Sequence, residues 1–304
     1  FVYKPEPLGT APSLLMLAQF VFGFNDQTVY LSPAPLYHAA PLRFNMAVHR
    51  LGGTTVIMEH FDAEQYLACI PKYSVTHSQV VPTMFVRMLK LPEAQRNQHD
   101  VSSLTTVIHA AAPCPVEVKR KMIAWWGPIV NEYYAGSEMI GMTLVKSEHW
   151  LAKPGTVGVA VHGKVHVCGP EGEELPAGQD GLIFFENVNL PTYHNDPAKT
   201  AEAMHPSGWM TLGDIGHLDK DGFLFLTDRK SHMIISGGVN IYPQEIENLL
   251  VTHPKVMDAA VIGAPCPDLG EKVVAVVQPK DMADAGPGLE AELRDFLSAS
   301  LSKI

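Results

Sequence analysis

Residues 208–247 read GWMTLGDIGHLDKDGFLFLTDRKSHMIISGGVNIYPQEIE, and three kinds of local structure follow one another in this stretch. Asp214 has a glycine one residue before it and another two residues after it, so its carboxylate is presented on a sharply bent backbone. The turn at 219–222, which ends in Asp-Gly between alternating apolar residues, predicts a β-hairpin. The Gly237–Gly238 pair follows an apolar run and allows a backbone to approach a ligand closely. Residues 242–245, Tyr-Pro-Gln-Glu, predict a helix start, because proline is favoured near the first helical position.

Any one of these pieces fits an ordinary α+β protein, since short motifs also occur by chance. Together and in this order they resemble the adenylate-forming superfamily, which includes acyl-CoA synthetases, luciferases and the adenylation domains of peptide synthetases. The resemblance implies that segment 208–214, which corresponds to the family's Gly-Trp-x-x-Thr-Gly-Asp, and the Asp228–Arg229 pair bracket the ribose of a nucleotide. It also implies a hinge at 228–230 and a small C-terminal domain that opens with the run 237–247.

The first half of the chain alternates strand patterns with helix patterns. Strands are predicted at 52–58, 75–81, 104–109 and 129–134, and helices at 12–24, 62–73 and 83–89. Such alternation favours a mostly parallel, doubly wound sheet. Ligands of such sheets lie outside the carboxyl ends of the strands, so the segments after 109 and 134 are candidate site segments.

The second half has a different pattern, in which glycine-rich turns separate short apolar strands between 154 and 228. This pattern indicates an antiparallel unit, and the resemblance implies a distorted barrel there. The expected fold is therefore α/β in three parts. These parts are a layered, mostly parallel sheet subdomain at 1–153, an antiparallel β-barrel-like subdomain at 154–228, and a small mobile α+β C-terminal domain at 229–304.

Composition fits a globular protein, with 46% hydrophobic and 18% charged residues in a chain of 304. The longest apolar run, 14–24, is interrupted by Gln19 and is too short to span a bilayer. A formal net charge of −10 argues against a nucleic-acid backbone or an anionic membrane as the main partner. The four cysteines form no Cys-x-x-Cys pair, which favours reduced thiols and a cytoplasmic location.

A second motif follows a predicted strand, where residues 134–139 read YAGSEM. It resembles the family's Tyr-Gly-x-Thr-Glu motif, with Ala135 in place of the usual glycine and Ser137 in place of threonine. Serine keeps the hydroxyl that would contact the α-phosphate. The resemblance implies that Tyr134 stacks on adenine and that Glu138 holds Mg²⁺, a hard cation that takes carboxylate and phosphate oxygens. The alternative is an ordinary strand and turn with Glu138 as a surface acid.

Carried over residue by residue, the resemblance gives a candidate site with three groups of members. The catalytic residues are Ser137, Glu138 and Arg229, and Glu138 is also the metal ligand. Contacts with ATP or coenzyme A are predicted for Ala111, Ala112, Pro113, Tyr133, Tyr134, Ala135, Gly136, Asp214, Phe225, Arg229, Lys230, Gly237 and Gly238. The acyl pocket is predicted to include His38, His109, Ala110 and Met139. Arg229 could hold ribose hydroxyls or pair with Asp214, and its planar fork makes lysine a poor substitute in either role.

Some of these assignments also have simple structural explanations. His38 lies in a Pro-x-Tyr-His segment that resembles the family's gate on the acyl pocket, whereas a lone histidine is more often a hydrogen-bonded residue at a strand end. The small residues at 110–112 leave room for a flat ring or an acyl chain, but tight packing explains them equally well. Ile140 and Met142, together with Met139, favour an apolar and roomy pocket beside Glu138.

Two segments that the family uses in catalysis have no counterpart in this sequence. There is no Ser/Thr/Gly-rich run that ends in Pro-Lys-Gly, the family's phosphate loop, and the residues at 302–304 do not resemble the Gly-Lys segment that carries its adenylation lysine. His232 also stands where many members have aspartate. Because removing one preorganised electrostatic donor costs about 3 kcal/mol, we expect these residues alone to be almost inactive in adenylation. They resemble the middle and C-terminal portion of a longer enzyme.

These observations favour an ATP-dependent acyl-CoA ligase that uses ATP, Mg²⁺ and coenzyme A. Its substrate would be an apolar carboxylic acid of fatty, alicyclic or steroid-like type, and its oligomeric state stays open, with a homodimer among the options. One alternative is an adenylation enzyme that loads a carrier-protein thiol. Another is a non-catalytic module that binds a nucleotide or coenzyme A.

Overall fold

The computed structural model describes residues 13–301. Its α-helices are α1 (Ser13–Phe20), α2 (Ala39–Leu51), α3 (Ala63–Tyr73), α4 (Pro82–Leu89), α5 (Glu93–Arg96), α6 (Val116–Trp126), α7 (Ser147–Ala152), α8 (Pro197–Glu202), α9 (Pro243–Leu250) and α10 (Pro287–Ser300). The first strands are β1 (Val29–Ser32), β2 (Thr54–Ile57), β3 (His77–Val80), β4 (Thr106–His109), β5 (Val130–Ala135), β6 (Met142–Val145), β7 (Thr156–His162) and β8 (Lys164–Cys168). They are followed by β9 (Gly181–Glu186), β10 (Met210–Leu218), β11 (Leu224–Arg229), β12 (Ile234–Ser236), β13 (Val239–Ile241), β14 (Val256–Cys266) and β15 (Gly270–Pro279).

Most of these strands belong to an 11-stranded sheet with the order β2-β1-β3-β4-β5-β6-β7-β11-β10-β9-β8. The ladders that join β2, β1, β3, β4 and β5 are parallel. The ladders from β5–β6 onward are antiparallel. The mostly parallel α/β sheet predicted from the alternating pattern is therefore confirmed, and each of the four predicted strands is present in it.

Helices cover both faces of the parallel part. On one face α3, α4 and α6 pack against strand residues such as Leu31 and Val107. On the other face α1 and α2 pack against Tyr30 and Ile108. Successive residues of a strand point to opposite faces, so β1 and β4 each contribute to both apolar cores.

Local sequence explains where some helices begin and end. Asp62 precedes α3 in an extended conformation, and its carboxylate accepts a hydrogen bond from the Gln65 N–H at 2.8 Å. Helix α1 ends at Phe20, not at 24 as predicted, and Gly23 beyond it takes a left-handed φ of 77°. Helices α2 and α6 were not predicted. In α6 the buried face includes Lys119, a charged residue that breaks the apolar pattern.

The antiparallel strands continue the parallel sheet through β6 and β7 and do not start a separate one. Only Gly163 separates β7 from β8, yet these two strands lie at opposite ends of the order β7-β11-β10-β9-β8. The five strands must therefore curl back on themselves, which agrees with the barrel-like shape expected for 154–228. The boundaries of the three predicted parts stay a prediction.

Gly158 lies where β7 crosses from one half of the sheet to the other, between partners in β6 and β11. It has a φ of 96°, and a Cβ added there would lie 1.9 Å from the Leu144 carbonyl oxygen. Gly178 has a similar φ of 85°, but no atom lies within 4 Å of its added Cβ.

We expect Gly178→Ala to lower the free energy of unfolding by about 1–2 kcal/mol, the cost of a left-handed residue. Gly158→Ala adds a backbone clash of the kind that costs about another 1–3 kcal/mol, so its loss should be clearly larger. Urea unfolding of both variants measures the difference. Equal losses would contradict the close approach of β7 to β6.

The second sheet has the order β13-β12-β15-β14 and packs against α9 and α10. Its core consists of Ile234, Leu250, Val256, Val261, Leu289 and Leu293. The last helix, α10, packs on this sheet through Leu289 and Leu293. Together these elements form the expected α+β unit at the C-terminal end.

Polar contacts join this unit to the larger sheet. The Asp228 carboxylate, at the end of β11, accepts a hydrogen bond of 3.0 Å from the Gln244 N–H in the first turn of α9. The Lys90 ammonium donates to the Val256 carbonyl, and Lys280 donates to the Lys90 carbonyl at 3.3 Å. Residues 13–301 contain no helix long and apolar enough to cross a membrane.

Candidate active site

The end of β5, the middle of β10 and the end of β11 bring three separate motifs together. Asp214 and Arg229 face each other across the β10–β11 ladder, with Arg229 Nε 3.3 Å from Asp214 Oδ1. The Tyr134 hydroxyl donates a hydrogen bond of 2.6 Å to Asp214 Oδ2, across 80 residues of sequence. Of the two roles considered for Arg229, the structure contains the pairing with Asp214.

The glycines beside Asp214 create the bend that the sequence predicted. Gly213 has a φ of 84°, a backbone conformation that residues with a side chain rarely adopt. A β-bulge follows between Ile215 and Gly216, and a Cβ on Gly216 would lie 2.1 Å from the Phe225 carbonyl oxygen. The bulge re-aims the strand at the position where the carboxylate meets Tyr134.

Burial controls the charges in this group. Asp214 is only 8% exposed, and this burial raises the pKa of its carboxyl, while the Tyr134 hydroxyl and Arg229 act in the opposite direction. Burial and the Asp214 carboxylate both raise the pKa of Tyr134 well above its ordinary value. Tyr134 therefore stays protonated near neutral pH and acts as the donor.

The turn after β5 presents Glu138. The Met139 N–H donates to the Gly136 carbonyl at 3.1 Å, and Met139 itself has a left-handed φ of 54°. A Cβ on Gly136 would lie 2.8 Å from Glu138 Oε2 and 2.5 Å from the Leu212 side chain, so both side chains pack closely over this glycine. Leu212 stands where the family's segment has threonine, a departure that the sequence interpretation missed. Ser137 is exposed at the tip of the turn.

Glu138 also has a partner to which the sequence interpretation assigned no role. The Tyr193 hydroxyl donates a hydrogen bond of 3.2 Å to Glu138 Oε1. Tyr193 belongs to a Tyr-x-x-x-Pro-x-x-Thr segment, and the Thr200 hydroxyl of that segment accepts a hydrogen bond from the Tyr193 N–H at 3.0 Å. The sequence signal that could have identified Tyr193 as a site residue was its fixed spacing from Thr200 in this segment.

The segment after β4 lies at the carboxyl end of the parallel strands. Ala110 is buried, whereas Ala111, Ala112 and Pro113 are exposed. Ala111 has a left-handed φ of 76°, which is uncommon for a residue other than glycine, asparagine or aspartate. The exposed backbone of 111–113 is available to a ligand, as the sequence analysis expected of this strand end.

Two predicted site residues, His109 and Tyr133, have side chains that are buried in the protein interior and do not face the site. The His109 ring is fully buried against Phe85, with Nε2 3.5 Å from Glu132 Oε2, so it does not line an open pocket. Tyr133 points to the face opposite Tyr134 and packs on Phe44 in the apolar core. Both positions were assigned from motif neighbours, and side-chain alternation along a strand placed these two side chains in the core.

The remaining predicted residues are spread around the site and the small unit. Phe225 stacks on the His217 ring, with centroids 5.2 Å apart, and Lys230 is exposed just after β11. Gly237 and Gly238 form the exposed turn of the β12–β13 hairpin in the second sheet. His38 is exposed before α2, and its ring packs against that of Tyr37 at an interplanar angle of 46°. Ala135 is half-buried at the end of β5.

An apolar cleft of about 290 Å³ begins at Met139. It runs between α1 and strands β6 and β7, and its lining includes Leu17, Phe20, Met142 and Val161. One lining residue of the cleft, Met139, therefore lies directly next to Glu138 in the turn after β5.

Trp209, at the head of the motif that leads to Asp214, is held by an unpredicted cluster. The His166 ring stacks on it with centroids 3.6 Å apart, and His205 stacks on it at 4.7 Å. His166 contacts Glu174 through one ring nitrogen and Glu186 through the other, at 2.9 Å in the second case. These contacts hold Trp209 in place, and Trp209 directly precedes the first residue of β10.

Comparison with known proteins agrees with this geometry. Residues 10–190 match the family described as AMP-binding enzyme, and residues 245–304 match the AMP-binding enzyme C-terminal domain. A feruloyl-CoA synthase of Amycolatopsis sp is 36% identical over 254 residues, which are 83% of this chain and 51% of that protein. A medium/long-chain-fatty-acid–CoA ligase of Mycobacterium tuberculosis is 31% identical over an alignment that covers 97% of this chain and 53% of that protein.

Among solved structures, an amide bond synthetase of Marinactinospora thermotolerans is similar, with a TM-score of 0.78 and 28% identity. The match covers 95% of this chain and 58% of that one. The chain thus spans about half the length of the curated relatives it matches. Its motifs, its sheet order and a family match over residues 10–190 agree, and the chain belongs to the AMP-binding, adenylate-forming enzymes.

Proposed function

We propose that the protein acts in ATP-dependent acyl-CoA ligation, with the site around Tyr134, Asp214, Arg229 and Glu138 as its adenylation centre. The observation that carries the proposal is the convergence of these residues, which come from three separate motifs, at the carboxyl end of β5. Open α/β sheets bind their ligands at this edge.

In the proposed reaction a carboxylate oxygen of the acid attacks the α-phosphorus of ATP, and diphosphate leaves. The thiol sulfur of coenzyme A then attacks the acyl carbon, and AMP leaves with the bridging oxygen. Asp214 and Arg229 would hold the ribose, and the exposed backbone of 111–113 would lie beside the adenine. Ser137 would contact the α-phosphate, and Gly237–Gly238 would lie along coenzyme A.

Glu138 fits the role of a Mg²⁺ ligand. Its Oε1 accepts the Tyr193 hydrogen bond, and no residue within 13–301 donates a hydrogen bond to Oε2. Within that range no cluster of three or more His, Cys, Asp or Glu could hold a metal ion. Mg²⁺ that arrives with a nucleotide needs only one or two carboxylates, because phosphates and waters fill the other positions. When bound, it would reduce the repulsion between the acid and the triphosphate.

The cleft behind Met139 supports an apolar acid as substrate. Its walls carry methionine, leucine and phenylalanine side chains, and its volume of about 290 Å³ suits a ring or an acyl chain. The named relatives act on feruloyl and on medium- or long-chain fatty acyl groups, both of which are largely apolar. We therefore propose an apolar carboxylic acid as substrate, a class that includes fatty, aromatic, alicyclic and steroid-like acids.

The test is a screen of carboxylic acids with the full-length protein, ATP and Mg²⁺, in which diphosphate release and thioester formation are measured separately. We expect diphosphate release with apolar acids and thioester only when coenzyme A is present. Preference for polar amino acids would contradict the proposed substrate. Diphosphate release without a thioester would favour another acceptor, such as a carrier-protein thiol, and tight ATP binding without turnover would favour a binding module.

A further inference from the structure

Glu138 lies on a turn that is fixed at several points, yet its own side chain is long and partly exposed. A free glutamate side chain loses rotamer entropy when it is ordered. Any ligand that needs this carboxylate in one orientation must therefore overcome that loss, unless the protein has already ordered the side chain.

Tyr193 supplies such an ordering contact. Its hydroxyl donates to Glu138 Oε1 at 3.2 Å, while Oε2 packs over Gly136. The contact bridges 55 residues and joins the turn after β5 to the loop before α8. Since a phenol donates one hydrogen bond, it engages one carboxylate oxygen and leaves the other to a different partner.

Tyr193 is itself held in place by its own segment. Its N–H donates to the Thr200 hydroxyl at 3.0 Å, and that hydroxyl donates to the Asp196 carbonyl at 2.9 Å. The Asp196 carboxylate caps α8 through the Lys199 N–H, also at 2.9 Å. The Lys199 ammonium lies over the Tyr193 ring, 4.5 Å from its centroid. The segment therefore forms a compact support for one phenol.

We propose that Tyr193 is a positioning residue, which holds the Glu138 carboxylate so that Oε2 is presented to the Mg²⁺ that accompanies ATP. This inference rests on the proposed function. It explains the spacing of Tyr193, Pro197 and Thr200, because proline starts the short helix and threonine fixes the tyrosine backbone. The same arrangement recurs beside it, where Tyr134 holds one oxygen of Asp214.

The experiment measures ATP binding by calorimetry over a series of Mg²⁺ concentrations, with the full-length protein and no acid present. In Tyr193→Phe the ring and its packing remain and only the hydroxyl is lost. We expect the Mg²⁺ concentration at half-saturation to rise about tenfold, since the hydrogen bond that is lost is one to a charged group. ATP affinity without Mg²⁺ and the melting temperature should stay unchanged.

Two further variants separate positioning from general stability. Tyr73→Phe removes a phenol from a half-exposed position at the end of α3 and should leave the Mg²⁺ dependence as it is. In Glu138→Gln the carboxylate is gone, so adding Tyr193→Phe to it should cause no further change. If the two substitutions had additive effects, Tyr193 would not act through Glu138.

The outcomes distinguish the inference from the proposed function. If the wild-type protein binds ATP without any dependence on Mg²⁺, the proposed adenylation centre is wrong, and the inference fails with it. If the wild type requires Mg²⁺ and Tyr193→Phe has the same half-saturation, the inference alone is overturned. If Tyr193→Phe lowers the melting temperature and Mg²⁺-free binding equally, the hydroxyl has only a structural role.

Discussion

Replacing Lys119 by methionine is expected to lower the free energy of unfolding by about 3–5 kcal/mol, the usual cost of removing one member of a buried ion pair. The Lys119 ammonium is fully buried, 2.5 Å from Glu132 Oε2, and lies over the Trp150 ring. Burial lowers the pKa of Lys119 and raises that of Glu132, while each charge acts against the shift of the other. Without Lys119, Glu132 would be a buried carboxyl that lacks its cation.

Two controls make the Lys119 result specific. Lys121→Met makes the same change on the exposed side of α6 and should alter the free energy of unfolding by less than about 0.5 kcal/mol. The double variant Lys119→Met/Glu132→Leu removes both charges and should recover most of the lost stability. Urea unfolding of the wild type, Lys119→Met, Lys121→Met and the double variant measures these changes in stability. A double variant as unstable as Lys119→Met would show that packing, and not charge, causes the loss.

Replacing Asp214 by alanine is expected to weaken ATP binding by about 10- to 100-fold. Each hydrogen bond to a charged group contributes about 1.5–3 kcal/mol, and in the proposed site this carboxylate holds the ribose. The substitution also leaves the Tyr134 hydroxyl without its acceptor and frees Arg229 from its partner. Calorimetric titration with ATP and Mg²⁺ measures the affinity.

Matched variants separate these contributions to ATP binding. Asp214→Asn keeps an acceptor for Tyr134 but removes the charge, so its ATP affinity should lie between those of the wild type and the alanine variant. Asp221→Ala removes an exposed aspartate from the nearby β10–β11 turn and should bind ATP normally. Unchanged affinity in Asp214→Ala would exclude this carboxylate from the nucleotide site.

Local sequence patterns were sufficient to predict much of the larger sheet. Local patterns predicted four of the five parallel strands and helix α3, whereas β1 was not predicted. The glycines around Asp214 predicted the bend that the structure contains, since positive φ and close backbone approach both select glycine. The helix start at 242–245 was also local, and α9 begins at Pro243.

Local patterns failed where a residue's surroundings come from distant parts of the chain. The sequence of α6 gave no sign that Lys119 would be buried, because its partner Glu132 is on a different element. Tyr133 and Tyr134 are adjacent and chemically identical, and only the placement of β5 between two cores decides that one packs on Phe44 and the other meets Asp214. His109 was assigned to the acyl pocket from its neighbours in sequence, whereas the tertiary structure buries its ring against Phe85.

The sequence by itself determined the family, the order of the motifs and the chemical types of the site residues, because these are properties of short segments. Tertiary structure alone decided which side chains meet. The contacts of Asp214 with Tyr134 and of Glu138 with Tyr193 join residues 80 and 55 positions apart. Such contacts depend on how strands of one sheet are ordered and on the face to which each side chain points, and no local pattern encodes either.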